Sequence, residues 1–252
     1  MGWPFLDVET PFGLAHRGGR GTAPENTVAA FARAAELGYV HLETDVHRTA
    51  DGELVAFHDG DLGRLVDRRG RISDLTWAEL CAIDLGDGHH IPRLVDLLDS
   101  FPEARFNIDP KADDAVEPLV EILRSRNAID RVCIGAFSER RVARVRQALG
   151  PGLCTSPGPT GLGRVLLAAL TRPGWQAPYG CVQIPPRLGP VSLSTPWLIR
   201  RLQAMGLQVH YWTVNDRAEM VRLLDAGADA IISDEIELLA EVLAERGATP
   251  GR

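Results

Sequence analysis

Strand-like and helix-like stretches alternate from one end of this chain to the other, and that alternation restricts the fold more than any other feature. Short, largely apolar runs at residues 14–17, 39–46, 105–109, 132–135, 153–156, 181–184, 207–214 and 230–233 have the length and content of buried strands. A helical pattern follows each run. The first begins at an Asn26 or Thr27 cap and runs to Leu37, where Gly38 stops it. The others cover residues 94–100, 115–124, 139–149, 162–170, 196–205, 218–226 and 236–246. Eight strand–helix units in 252 residues is the arithmetic of a (β/α)8 TIM barrel, an α/β fold. An open doubly wound sheet is the rival, but it calls for a GxGxxG turn after the first strand. The first run ends instead in His16-Arg17-Gly18-Gly19-Arg20-Gly21.

One segment breaks the rhythm. About 45 residues separate the second strand from the next helix, far more than an ordinary βα loop. Its DG and RG turn signals predict a hairpin-like segment and a short helix inserted after the second strand, at about residues 47–93. The whole chain, 1–252, reads as a single barrel domain. Elaborated βα loops lie over the C-terminal face of a barrel, where active sites form.

A formal net charge of -7 argues against non-specific nucleic-acid binding, which needs a basic face. A local basic pocket for a small phosphorylated molecule stays compatible with it. The four cysteines, Cys81, Cys133, Cys154 and Cys181, have no CxxC spacing and read as reduced, mostly buried thiols. The first ten residues lack the pattern of a signal peptide, and no apolar run reaches the length of a membrane span. The expectation is a cytoplasmic protein without stable membrane insertion. Residues 188–197 are a moderate candidate for a membrane-touching loop. Nothing bears on oligomeric state.

Chemistry-bearing residues gather at predicted strand ends. His16 can move a proton near neutral pH, and Arg17 offers a planar fork of donors to phosphate oxygens. Glu43 and Asp45 alternate on one face of the second strand. Side by side they repel unless a cation or protons compensate, and a hard divalent ion takes such oxygens. His41 and His47 share that face and read as structural or supporting residues. Asn107, Asp109 and Lys111 share a face of the third strand, as a further carboxylate with a cation or as an ordinary ion pair. His58 follows the apolar run LVAF and is either packed or catalytic. Trp212 ends the seventh strand, where an aromatic walls a pocket or packs the barrel.

In chain order, HRG, PENT (24–27), the ExD of Glu43 and Asp45, DGxLVxxHD (51–59), an NIxxK-like run and WTVN (212–215) together resemble the glycerophosphodiester phosphodiesterases over about residues 14–235. The resemblance implies a barrel enzyme that hydrolyses phosphoric diesters of glycerol to glycerol 3-phosphate and an alcohol, in lipid metabolism. It implies a divalent cation, Mg²⁺ or Ca²⁺, held by Glu43, Asp45 and Asp109. It implies His16 and His58 as general acid and base, Arg17 and Lys111 on phosphate, Trp212 in the pocket wall, and Glu25 and Asn26 as braces. Two departures stand out. Asp109 replaces a customary Glu and is followed by Pro110, and Ser233-Asp234-Glu235-Ile236 replaces a TDRP-like ending. Two alternatives remain: a phospholipase-type barrel acting on inositol, lyso- or sphingo-phospholipids, and a catalytically silent phosphate-binding module. Loss of a histidine or carboxylate would signal the second, and all are present.

Overall fold

A computed structural model describes residues 2–21, 23–66, 68–172 and 174–251; Asp67, within the predicted insertion, lies outside the described residues. Eight parallel strands form the barrel: β1 (Phe12–His16), β2 (His41–Arg48), β4 (Arg105–Pro110), β5 (Val132–Ile134), β6 (Cys154–Thr155), β7 (Cys181–Ile184), β10 (Gln208–Tyr211) and β11 (Ala230–Ser233). They are hydrogen-bonded in the order β6-β5-β4-β2-β1-β11-β10-β7. The barrel is nearly closed. At the seam between β6 and β7, Gly180 N–H donates to the Thr155 carbonyl at 3.0 Å, and Gln183 N–H donates to Ser156 Oγ at 3.0 Å.

Alternation along each strand separates two environments. Ala15, Leu42, Val46, Phe106, Ile108, Ile134, Val182, Val209 and Ile231 point outward into the main core beneath the helices. The opposite parity points inward: Phe12, Leu14, Ala230 and Ile232 pack together inside the barrel. His16, Glu43, Asp45, Asn107 and Asp109 share that inward parity, by the register that pairs His16 with Glu43, Glu43 with Asn107 and Asp45 with Asp109.

The helices on the outside are α1 (Val28–Glu36), α3 (Leu94–Ser100), α4 (Val116–Ser125), α5 (Glu139–Leu149), α6 (Pro159–Thr171), α7 (Pro196–Gln203), α8 (Arg217–Asp225) and α9 (Ile236–Ala244). Thr27 caps α1 by accepting from Ala30 N–H, which leaves the Asn26 side chain for another task. The insertion contains β3 (Leu54–Ala56), antiparallel to β2, and α2 (Trp77–Cys81), started by a Thr76–Glu79 capping box. It has a small core of its own around Val55, Phe57, Leu62, Ile72, Leu80 and Ile91. A second, two-stranded hairpin, β8 (Arg187–Leu188) and β9 (Val191–Ser192), follows β7.

At the other end, a single 3₁₀ turn, Pro4–Leu6, seats the fully buried Phe5 against Cys133, Cys154 and Cys181. Among the described residues no helix is long and apolar enough to cross a membrane.

Candidate active site

The C-terminal ends of the strands surround a cavity of about 490 Å³. His16, Arg17, Glu43, Asp45, His58, Asp109, Lys111 and Trp212 all line it. The turn after β1 is what aims the first two. Arg17 has φ +54, in the left-handed region that non-glycine residues seldom occupy. Asn26 N–H donates to the Arg17 carbonyl at 2.8 Å, and Arg17 N–H donates to Glu43 Oε2 at 3.1 Å. Gly18 follows at φ +83, where a Cβ would meet the α1 backbone at 2.9 Å. The turn therefore presses against the start of α1 only because no side chain intervenes.

Two imidazoles enter from separate elements. His16 Nδ1 lies 2.6 Å from Asp234 Oδ1, and its Nε2 lies 3.8 Å from Glu43 Oε2. His58 Nδ1 lies 2.8 Å from Asp59 Oδ1. A carboxylate only accepts, so each Nδ1 carries its proton and each Nε2 is the atom free to exchange one. His58 reaches the site because β3 doubles back beside β2: Phe57 N–H donates to the Asp45 carbonyl at 3.0 Å. His47 Nε2–H donates to the His58 carbonyl at 3.1 Å and steadies it from below. His41 lies deeper on the inward face, in contact with Phe5 and Phe12, and burial pushes its pKa down to about 3.

The charges are arranged in opposition. Lys111 Nζ sits between Asp45 Oδ1 at 2.6 Å and Asp109 Oδ2 at 2.7 Å, while Arg17 Nε lies 3.1 Å from Asp45 Oδ2. Against the upward push of burial, Lys111 and Arg17 hold Asp45 below the usual carboxylate range. Burial, and after it the charge of Asp45, raises Asp109 despite Lys111. Glu43 is pushed up to about 7, first by burial and then by Asp45. For His16, burial works downward, but Glu43 and the hydrogen bond to Asp234 outweigh it and the net direction is up.

The three carboxylates share a rim, but no choice of one oxygen from each brings all three within 4.8 Å of one another, because the Lys111 ammonium stands between Asp45 and Asp109. Their chemistry still fits a divalent cation. All three donors are hard oxygens, and the buried Asp109 Oδ1 has no hydrogen-bond partner.

Glu25 and Asn26 contact these groups directly. Glu25 Oε1 accepts from Arg17 at 3.1 Å and from Arg64 at 2.5 Å. Asn26 accepts from Thr44 Oγ1 at 2.8 Å and donates to Asp45 Oδ2 at 3.4 Å. Several contributors went unread in the sequence. Asp234 holds His16, and Asn215 holds Asp234 by donating to Oδ2 at 2.7 Å and accepting from its backbone N–H at 2.9 Å. Arg64 joins Glu25 to Asp59. Asp234 stands in the departing SDEI run, and its neighbour Glu235 does not line the cavity. The opposite wall is apolar, formed by Phe137, Pro157, Leu162, Leu166, Leu188 and Trp212, with Phe137 and Trp212 edge to face at 5.5 Å.

The profile of the Glycerophosphoryl diester phosphodiesterase family matches residues 16–155 and 161–238. The chain belongs to that family. Its members are phosphoric diester hydrolases, and the chain is an enzyme of that class. It is 43% identical over 248 residues to the Mycobacterium tuberculosis protein named probable glycerophosphodiester phosphodiesterase 2, an alignment covering 94% of this chain and 92% of the relative. It is 30% identical to the glycerophosphodiester phosphodiesterase of Caldanaerobacter subterraneus subsp. tengcongensis, over 93% of this chain and 98% of that one. The fold is shared with a solved Silicibacter pomeroyi structure named "Putative glycerophosphoryl diester phosphodiesterase", with TM-score 0.82 at 24% identity, covering 98% and 99% of the two chains. Family membership agrees with the closed-barrel reading and removes the open doubly wound sheet.

Proposed function

We propose that this chain hydrolyses small glycerophosphodiesters to glycerol 3-phosphate and an alcohol, using His16 and His58 as the proton-transfer pair and a divalent cation, Mg²⁺ or Ca²⁺. The observation that carries the reading is the meeting of two carboxylate-braced imidazoles, Arg17, Lys111 and three carboxylates at one end of a single cavity. Glu43, Asp45 and Asp109 would hold the cation, which supplies positive charge to the phosphodiester oxygens when bound. Arg17 donates to a non-bridging oxygen, and Lys111 exchanges its carboxylate partners for the phosphate. One Nε2 takes a proton from the nucleophile and the other gives one to the leaving alkoxide. Trp212 walls the glycerol side, while Glu25 and Asn26 brace Arg17 and Asp45. The whole chain acts as one barrel unit, with the segment at about 47–93 delivering His58. The test is turnover of purified protein on a panel of glycerophosphodiesters before and after exhaustive chelation. Cation-dependent release of glycerol 3-phosphate is the expected result; undiminished turnover after chelation defeats the metal assignment.

One observation favours a second reading of the glycerol side. The apolar wall continues to the rim, where Phe137 is 65% and Leu188 61% exposed. Such a wall suits a glycerol that carries an acyl chain, as in a lysophospholipid, better than bare glycerol, and the products would then be an acylated glycerol phosphate and the headgroup alcohol.

A further inference from the structure

At the far end of the barrel from this cavity, the floor gathers three of the four cysteines. Cys133, Cys154 and Cys181 come from the consecutive strands β5, β6 and β7 and are buried beneath Phe5. Their sulfurs all lie within 4.8 Å of one another, with Cys133 Sγ and Cys181 Sγ 3.8 Å apart. The next strand, β10, contributes His210, which is fully buried beside Cys181 and interacts with its thiol, but stands outside the cluster of three sulfurs. In the sequence the three cysteines are widely separated and match no zinc-ligand spacing; the barrel alone brings them together.

We propose that Cys133, Cys154 and Cys181 form a second metal site, for a thiophilic divalent cation of the zinc and cadmium class. A triangle with edges of 3.8 to 4.8 Å has its centre about 2.2–2.8 Å from each corner, a range that includes the roughly 2.3 Å zinc–sulfur distance. The three sulfurs supply three of the four positions of a tetrahedral site. Binding releases the three thiol protons, leaving three thiolates and a dication with one net negative charge. Arg105, whose guanidinium donates to the Phe5 carbonyl at 3.2 Å, lies at the same floor to offset it. Sulfur donors here and oxygen donors at the catalytic end select different metals. The location gives the site a task. β6 and β7 meet with few backbone hydrogen bonds, and this metal would tie β5, β6 and β7 together across that seam.

The test uses full-length protein carrying Cys81→Ser, which removes the one thiol outside the cluster, purified from cells grown with added zinc. About one zinc per chain should survive dialysis that strips the oxygen site. Growth or refolding with cadmium should give a thiolate-to-cadmium charge-transfer band, and loading should raise Tm by roughly 5–10 °C. Cys181→Ser should abolish the band, whereas Asp109→Asn at the oxygen site should leave the band intact. Zinc-free protein that shows no thiolate band after either cadmium treatment overturns the proposal, and this result needs no variant within the cluster. A band that persists in Cys181→Ser protein overturns it equally.

Discussion

His16 sits between two carboxylates that act at different atoms. Asp234 takes Nδ1 and Glu43 faces Nε2, and together they raise the ring against the downward pull of burial. Asp234 itself is held down at about 2: burial pushes it up, but the hydrogen bonds from His16 and Asn215 prevail. Asp234→Asn removes one of the two charges that favour the imidazolium, so the His16 pKa falls. The limb of the pH–kcat/KM profile that belongs to His16 should move to lower pH, with kcat reduced by about 10-fold or more. Movement of the acidic limb marks His16 as the base, and movement of the alkaline limb marks it as the acid. A profile with both limbs unmoved removes His16 from proton transfer. His16→Ala and His58→Ala should each lower kcat by roughly 10²-fold or more in steady-state assays. His41→Ala should instead appear as a loss of stability in thermal melts, since His41 packs the barrel interior. Residue parity made much of this visible in advance: 43 and 45, or 107, 109 and 111, had to share a face of an extended chain. Asp234 was not visible, because its role depends on β11 lying beside β1, a pairing between opposite ends of the chain.

Among the elements, the proposed action of the two histidines on one phosphate requires the insertion and the β1–α1 turn to keep a fixed distance. They are joined by a run of ion pairs, Arg17–Glu25–Arg64–Asp59, that ends on His58. Arg64 is 44% exposed, so its pairs add little to folding, on the order of 0–1 kcal/mol. Arg64→Ala should therefore leave the Tm nearly unchanged while lowering kcat several-fold, by loosening His58. A kcat equal to that of the unaltered enzyme would show that the β2–β3 ladder positions His58 unaided. The helices and strands were legible from their periods, and the insertion from its excess length. The N-terminal 3₁₀ turn was not, since three residues show no period. Its value comes from Phe5, which closes the barrel floor by tertiary contact alone. Phe5→Ala should lower unfolding free energy by about 3–5 kcal/mol in denaturant titrations, the range for a deleted buried aromatic.

At the scale of the whole molecule, the cavity over the barrel has two unlike halves, and substrate choice follows from both. On the polar side, Arg17, Lys111 and the cation that the carboxylates would hold converge on a region the size of a single phosphate. A phosphomonoester brings extra negative charge beside Glu43, Asp45 and Asp109, and a polynucleotide lacks a basic groove to follow, so both should be poor substrates. On the apolar side, Phe137 and Leu188 extend the wall beyond the catalytic residues into solvent. Burying such side chains against a hydrocarbon chain contributes about 1–2 kcal/mol each, or roughly 10-fold in kcat/KM. The bare glycerol of a small diester brings no such chain. The comparison that follows is between glycerophosphocholine and a lysophosphatidylcholine, assayed below its micellar concentration with the unaltered enzyme and with Phe137→Ser and Leu188→Ser. If the wall holds an acyl chain, each substitution should lower kcat/KM for the lysolipid by about 10-fold and leave glycerophosphocholine unchanged. Equal losses on both substrates would mean that the wall shapes the catalytic end itself. No loss on either would leave the rim outside the substrate's reach and the small diester as the substrate.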